Sequence, residues 1–303
     1  MGKIAFVFSG QGAQFAGMGK EFYEGNAAVR SLFDSAEQIR PGTLSQCFEG
    51  DAQTLKLTEN TQPCLYLSSL AGATALGEAG IKADAVAGFS LGEIAALAYA
   101  GAYGAEEGFR IVCRRGELMS RAAAEHPAAM LAVVKLPADV IESVCEKYAQ
   151  TYPVNYNSAD QTVVALAADE VEAFSADIKA AGGRTIPLAV SGGFHSPFMD
   201  EASRLFGEFL AGRDICVPAL PAYSNYTAKL YGDDVRTLLE KQINHPVRWR
   251  DIVLEMSAAG IDTFIEVGAG STLAKLVKKT LPDAAVFSAG GYEDIRKITE
   301  AVG

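Results

Sequence analysis

The sequence predicts an α/β protein in which a large domain with a parallel sheet is interrupted by a small domain. In the first 125 residues, and again near the C-terminus, apolar strand-like runs alternate with helical stretches, as they do in parallel, layered sheets. From about 127 to 191 the order becomes strand, helix, strand, strand, helix, strand, which is typical of a ferredoxin-like unit. We therefore expect a large domain from 1–126 and 192–303, a small domain at 127–191, and an active site in the cleft between them.

The first part of the chain supplies the strongest strand and helix signals. An apolar run at 4–9 ends in Gly10-Gln11-Gly12 and predicts a core strand. A second run at 83–89 passes directly into a helical stretch at 91–100. Between them, Leu and Ala recur at helical spacing over 61–76, which predicts a helix packed on the sheet.

The interrupting unit and the C-terminal part follow in order. Within the small unit we expect strands at 128–136 and 184–190, a strand or hairpin at 153–167, and helices at 138–150 and 170–181. Strand and helix alternation then resumes at 262–267, 271–280, 284–288 and 292–302. Since the large-domain pattern returns, the small unit is predicted to be an insertion.

Composition excludes several classes of function. A net charge of −11 and a pI near 4.9 argue against broad binding to nucleic acid or anionic membranes, which favour basic surfaces. The five cysteines are scattered and contain no Cys-x-x-Cys pair, so we expect neither a disulfide framework nor a metal site. No apolar run approaches the ~18 to 20 residues of a membrane span, and no signal peptide is expected, so a cytoplasmic protein is predicted.

A nucleophile motif stands at the junction between the second strand and its helix. Gly88-Phe89-Ser90-Leu91-Gly92 has the Gly-x-Ser-x-Gly pattern of a nucleophile elbow, in which a strained turn exposes the serine hydroxyl at a helix N-terminus. The bare pattern is only moderately specific, and a glycine-rich turn without catalytic function is the alternative.

A neutral serine needs a base, and the chain contains three histidines. His195 lies in Ser191-Gly192-Gly193-Phe194-His195-Ser196-Pro197, where glycines permit close backbone approach and Pro197 suits the first turn of a helix. His126 and His245 each precede a proline, a position typical of extended or turn residues. His195 is therefore the preferred candidate.

Six ordered motifs resemble one enzyme family along essentially the whole chain. The motifs are Phe8-Ser9-Gly10-Gln11-Gly12-Ala13-Gln14, Gly88-Phe89-Ser90-Leu91-Gly92-Glu93, Arg114-Arg115-Gly116, Phe194-His195-Ser196, His245-Pro246-Val247-Arg248-Trp249 and Glu266-Val267-Gly268-Ala269-Gly270. With them the sequence is similar to the malonyl-CoA:acyl-carrier-protein transacylases of bacterial fatty-acid synthesis, and to the related acyltransferase domains of polyketide synthases. This resemblance implies a hydrolase-like large domain.

The resemblance implies a mechanism and its catalytic residues. Ser90 would attack the thioester of malonyl-CoA, with His195 as its base, and a malonyl-serine intermediate would pass the group to a carrier-protein thiol in ping-pong order. Backbone N–H groups of Gln11 and Leu91 would form the oxyanion hole. The family commonly has glutamine at the position of Arg248, whose main-chain carbonyl would orient the histidine.

The resemblance also implies substrate-binding residues. Arg115 would hold the malonyl carboxylate, because a guanidinium can offer two parallel hydrogen bonds; the alternative is a solvated helix residue. Phe194 would crowd an α-methyl branch of the acyl group; the alternative is that its ring simply packs in the core. Met130 matches a family position at the start of the small domain, and Asn155 and Asn157 weakly resemble residues of the thioester channel. Phe89 departs from the histidine that the family usually has before the serine.

The implied reaction sets the expected partners. No cofactor would be bound: malonyl-CoA would be the substrate, and the phosphopantetheine would be carried by an acyl carrier protein, with the enzyme a monomer. Because carrier proteins are acidic, Lys275, Lys278, Lys279, Arg296 and Lys297 form a candidate docking surface, with a solvated helix face as the alternative. Two rival functions are a serine esterase or thioesterase and an inactive docking module. Arg115 argues against the hydrolase, and the presence of both Ser90 and His195 argues against the inactive module.

Overall fold

The computed structural model describes residues 2–190 and 192–302, which fold around two β-sheets. The strands are β1 (Lys3–Phe8), β2 (Ala85–Gly88), β3 (Ala128–Val134), β4 (Thr151–Ser158), β5 (Gln161–Ala167), β6 (Arg184–Pro187), β7 (Ala222–Tyr223), β8 (Ile261–Val267) and β9 (Ala285–Ala289). The helices are α1 (Lys20–Gly25), α2 (Ala27–Ile39), α3 (Thr43–Glu49), α4 (Thr58–Glu78), α5 (Gly92–Tyr99), α6 (Ala105–Glu125), α7 (Ala138–Cys145), α8 (Val171–Ala180), α9 (Asp200–Ala211), α10 (Val235–Asn244), α11 (Trp249–Ala258), α12 (Thr272–Thr280) and α13 (Tyr292–Val302).

The larger sheet is parallel and has the strand order β7-β2-β1-β8-β9. Its register places Phe8 beside both Gly88 and Val267, so the carboxyl ends of three strands lie at one edge. Ligand sites of open α/β sheets form at this edge, since the loops that follow the strands converge there. The loops after β1, β2 and β8 carry three of the sequence motifs.

Helices cover both faces of this sheet. Along β1, Phe6 and Phe8 belong to one hydrophobic cluster, and Ala5 and Val7 belong to another. Successive side chains of a strand point to opposite faces, so both faces of the central strand are buried. This double burial explains why the strand reads as a continuous apolar run rather than an alternating one.

The smaller sheet is antiparallel, with the order β4-β5-β3-β6 and α7 and α8 packed on one face. This is the strand order of a ferredoxin-like unit, and the predicted fold class is confirmed. The segment at 153–167, for which the sequence allows a strand or a hairpin, is a hairpin of β4 and β5. The exact division at 1–126, 127–191 and 192–303 stays a prediction, and Met1, Ser191 and Gly303 lie outside the described residues.

The two sheets are joined by backbone pairing and by shared core. Tyr156 N–H donates to the Val247 carbonyl at 2.9 Å, and Val247 N–H donates to the Val154 carbonyl at 2.9 Å. Across the same boundary, Lys279 forms a salt bridge with Asp160 at 2.6 Å. The segment just before α11 is thus fixed against the edge of the small sheet. No helix within 2–190 and 192–302 is long and apolar enough to cross a membrane.

Candidate active site

Ser90 occupies a tight turn between β2 and α5. Its backbone has φ 54°, in the left-handed region that a residue other than glycine rarely adopts. The flanking glycines are required by close packing: a Cβ on Gly88 would lie 2.0 Å from the Gly92 carbonyl carbon, and one on Gly92 would lie 2.1 Å from the Phe8 oxygen. The turn therefore has the geometry of a nucleophile elbow.

Asn225 clamps this elbow from a distant part of the chain. Its Oδ1 accepts from the Ser90 N–H at 2.7 Å, and its Nδ2 donates to the Gly88 carbonyl at 2.6 Å. Buried Glu93 supports the clamp, because its Oε1 accepts from the Asn225 N–H at 2.8 Å and from the Tyr231 hydroxyl at 2.6 Å. Burial raises the pKa of Glu93 to about 7.

His195 and Ser90 form a catalytic dyad geometry. His195 Nε2 lies 2.7 Å from Ser90 Oγ, and Nδ1 lies 2.7 Å from the main-chain oxygen of Gln242. Since a carbonyl only accepts, Nδ1 carries the hydrogen and Nε2 is left to accept the serine proton. Burial, with a smaller effect from the Arg115 charge, lowers the pKa of His195 to about 3, so the ring is neutral near pH 7.

The other two histidines lie elsewhere. His126 is exposed at the end of α6. The His245 ring packs on Tyr226, with centroids 4.5 Å apart, and its Nδ1 faces the Lys241 carbonyl at 2.9 Å and Asn244 Oδ1 at 2.7 Å.

The predicted role of Arg248 is wrong. Its main-chain oxygen accepts from the Ile252 N–H at 3.0 Å, at the first turn of α11, and its side chain pairs with Asp251. The carbonyl that orients His195 belongs to Gln242, near the end of α10. Both residues flank the same bend in the chain. The Arg248 oxygen accepts a hydrogen bond of helix α11, so it does not face His195.

Arg115 is fully buried on α6 and its guanidinium reaches Ser90. Its Nη2 lies 3.2 Å from Ser90 Oγ and also donates to Gln242 Oε1 at 2.8 Å, while Nη1 donates to Gln62 Oε1 at 2.8 Å. Among the described residues no carboxylate forms a salt bridge with it. Burial lowers its pKa to about 10, which still leaves it protonated near neutral pH.

The loop after β1 packs against the elbow. A Cβ on Gly10 would lie 2.8 Å from the Phe89 oxygen, so glycine permits this approach. Neither the Gln11 N–H nor the Leu91 N–H donates to an acceptor within the part of the chain that the structure describes. Two unpaired N–H groups beside a nucleophile suit an oxyanion hole, and this assignment of Gln11 and Leu91 stays a prediction.

A cavity of about 220 Å³ lies between the two sheets, next to the elbow. Gln11 and Phe89 line it from the large sheet, and Asn155, Asn157 and Leu188 line it from the small one. The Oδ1 atoms of both asparagines are buried without a described hydrogen-bond partner. Buried polar atoms of this kind suit a ligand with amide groups. Through Gln11, Gly12 and Leu188 the cavity adjoins a second space of about 640 Å³.

Phe194 and Met130 lie in the main hydrophobic core, 6% and 5% exposed. Neither lines the cavity beside the elbow. Their substrate-binding roles stay predictions, and core packing is the observed function of both side chains. Phe89, which replaces the expected histidine, packs edge-on against Trp249 with ring centroids 5.7 Å apart.

The chain is similar to known acyltransferases along most of its length. A family model described as acyl transferase domain matches residues 5–296. The chain is 40% identical over 287 residues to the malonyl CoA-acyl carrier protein transacylase of Bacillus subtilis (strain 168), covering 92% of this chain and 90% of that protein.

Solved structures agree over the whole fold. The crystal structure of malonyl CoA-acyl carrier protein transacylase from Clostridium perfringens matches with a TM-score of 0.95 at 32% identity, covering 99% of this chain and 97% of that one. A malonyl-transacylase in complex with its type II polyketide synthase acyl-carrier protein matches with a TM-score of 0.94 at 30% identity, covering 99% of both chains.

Proposed function

The chain belongs to the acyl transferase family, and on that premise we propose that this acyltransferase moves a malonyl group from malonyl-CoA to the phosphopantetheine thiol of an acyl carrier protein. The transfer proceeds in two halves through a malonyl ester on Ser90. No bound cofactor takes part, because the thioester supplies the activated acyl group.

In the first half, Ser90 Oγ attacks the thioester carbonyl and its proton passes to His195 Nε2, which lies 2.7 Å away. The oxyanion forms beside the N–H groups of Gln11 and Leu91. The C–S bond then breaks, and the CoA sulfur leaves with the proton from His195. The second half reverses these steps: the carrier thiol gives its proton to His195 and attacks the ester, and Ser90 leaves and recovers the proton.

The observation that carries this proposal is the buried charge of Arg115. A guanidinium that is 0% exposed, protonated and without a described carboxylate partner lies 3.2 Å from the nucleophilic oxygen. An acyl group with its own carboxylate supplies the missing anion, and malonyl has one where acetyl does not. A hydrolase of neutral esters would have no use for this charge.

Mass spectrometry of the intact protein tests the proposal. Mixing with malonyl-CoA should add one malonyl group to Ser90, and adding carrier protein should remove it as malonyl-carrier. Ser90→Ala should form no adduct, whereas the control Ser143→Ala, at an exposed serine of α7, should behave as the native protein. Release of free malonate without transfer would identify a hydrolase instead, and malonyl transfer by folded Ser90→Ala would refute the serine mechanism.

A further inference from the structure

Two glutamine side chains hold the guanidinium of Arg115. Gln62 of α4 accepts from Nη1 and Gln242 of α10 accepts from Nη2, both at 2.8 Å. The glutamines are 1% and 0% exposed, so both contacts lie in the protein interior. The two acceptors fix the plane of the guanidinium from two different helices.

The orientation of the Gln242 amide is determined by its other partner. Its Nε2 donates to the Ser90 main-chain oxygen at 2.6 Å, and a carbonyl can only accept, so Oε1 must face Arg115. The remaining amide group of Gln62 has a weaker partner, since its Nε2 lies 3.5 Å from Met119 Sδ. Gln62 therefore serves Arg115 chiefly as an acceptor.

Neutral acceptors are an unusual environment for a buried arginine. Buried charges are normally paired with an opposite charge, because an unpaired charge in a low-dielectric interior is costly. Amide oxygens satisfy N–H groups of Arg115 but leave its unit charge in place. The charge of Glu93 acts on Arg115 at longer range, and its Oε1 is already shared by Asn225 and Tyr231.

We propose that Gln62 and Gln242 determine the charge of the acyl group that the enzyme accepts, by holding Arg115 with neutral oxygens and so leaving its charge for a substrate carboxylate. The inference rests on the proposed function and extends it to two positioning residues. It follows that a carboxylate at either position would act as an internal counter-ion. The site would then repel a carboxylated acyl group and accept a neutral one.

Gln62→Glu is the sharpest test of this idea. Glutamate has nearly the shape of glutamine and keeps the acceptor oxygen facing Arg115, so the substitution changes mainly the charge. The same change at Gln242 would also remove the N–H that Ser90 uses. Gln62→Leu removes the acceptor without adding charge. Gln46→Glu is the matched control, because Gln46 Oε1 accepts from Arg40 Nη1 at 2.5 Å outside the active site.

The measured quantity is the ratio of kcat/KM for malonyl-CoA over acetyl-CoA, with one carrier protein as acceptor. In Gln62→Glu the ratio should fall by about tenfold or more, with acetyl transfer rising, because the buried charge is already compensated. Gln62→Leu should be slower with malonyl-CoA yet still prefer it. Gln46→Glu should keep the native ratio.

Several outcomes would overturn the proposal. They are a folded Gln62→Glu protein with the native ratio, an equal fall in Gln46→Glu, and a Gln62→Leu protein that no longer prefers malonyl-CoA over acetyl-CoA. The Gln62→Leu result decides by itself if Gln62→Glu does not fold. A native protein that forms no malonyl-Ser90 adduct would instead refute the proposed function, whereas an adduct with an unchanged ratio refutes only this inference.

Discussion

Gln242 contributes three separate atoms to the active site. Its main-chain oxygen orients His195, its Oε1 holds Arg115, and its Nε2 donates to the Ser90 carbonyl. One residue thus connects Ser90, His195 and Arg115, the proposed nucleophile, base and substrate-binding cation. Because all three contacts are already made in the free protein, the reacting groups need little rearrangement when substrate binds.

The pH dependence of kcat/KM should report the buried state of His195. The ring must be neutral to accept a proton, and its pKa of about 3 keeps it neutral far below the ordinary value of 6.5. Formation of the malonyl adduct should therefore change by less than about twofold between about pH 7.5 and 5.5, where a solvated histidine would cause about a tenfold loss.

The control for this prediction is Glu93→Gln. Glu93 has a pKa raised to about 7 and supports the elbow through Asn225, so its protonation also falls in this range. If adduct formation slows at acid pH in the native protein but not in Glu93→Gln, the loss arises from protonation of Glu93. A loss with a midpoint near pH 6.5 in both proteins would contradict a strongly lowered pKa of His195.

The sequence motifs contain Ser90, His195 and Arg115 but not the residues that hold them. Gln62, Asn225 and Gln242 carry no motif, and their contacts join positions that are distant in the chain. The resemblance implies that the Arg248 carbonyl orients His195, and nothing in the residues alone shows that the Gln242 carbonyl faces the ring instead. The one available signal was polarity: Gln62 lies in a helix whose other residues are mostly apolar or small.

At the scale of elements, alternation predicted the strands and helices around Ser90, in the small unit and near the C-terminus, and most of their ends were accurate within a few residues. The helix α6, which carries Arg115, and the helices α10 and α11, which flank the His245 motif, were not predicted. The predicted helix at 61–76 is α4 (Thr58–Glu78), and that at 91–100 is α5 (Gly92–Tyr99). The two-residue strand β7 was not identified, because it is too short for a periodic pattern. Yet the loop after β7 supplies Asn225, which shows how an inconspicuous segment can shape the elbow.

The elbow between β2 and α5 should depend on Asn225. In Asn225→Leu, the Ser90 N–H and the Gly88 carbonyl would lose their partners in a buried turn. The free energy of unfolding should fall by about 2 to 5 kcal/mol, and adduct formation per folded molecule should slow by about tenfold or more, because the strained Ser90 backbone is released. Urea titration and rapid-quench mass spectrometry measure the two effects.

Asn26→Leu separates the elbow from general stability. Asn26 is 5% exposed and caps α2 through Ala28 N–H and Val29 N–H, away from Ser90. Its loss should destabilise the protein without slowing the reaction of the folded fraction. An Asn225→Leu protein that reacts at the native rate would show that the clamp serves stability alone.

The cationic surface on α12 and α13 is largely neutralised by acidic neighbours. Lys279 pairs with Asp160, Arg296 with Glu300 and Lys297 with Glu293. The last two pairs lie within a single helix. This arrangement favours the alternative of a solvated helix face, and the docking surface for an acidic carrier stays a prediction.

At the scale of the whole molecule, the two sheets share one hydrophobic core. Met130 and Ala132 of β3, with Val163 and Ala165 of β5, belong to the same cluster as Phe6 and Phe8 of the large sheet. The alternate side chains of β3 and β5 pack instead against α7 and α8. Each face of the small sheet is thus buried, one inside its own unit and one against the large domain.

This shared core predicts cooperative unfolding despite the division into two units. Trp249 is the only tryptophan of the chain and is 0% exposed in the large domain, so its fluorescence follows that domain, whereas circular dichroism follows the whole protein. The two signals should give coincident urea transitions, because unfolding of the small sheet would expose the core that it shares. Ile141→Ala, in the α7 side of the small unit, should lower the free energy of unfolding by about 2 to 5 kcal/mol from both signals alike. A circular-dichroism transition that moves to lower urea while the Trp249 transition stays in place would show that the small unit unfolds independently.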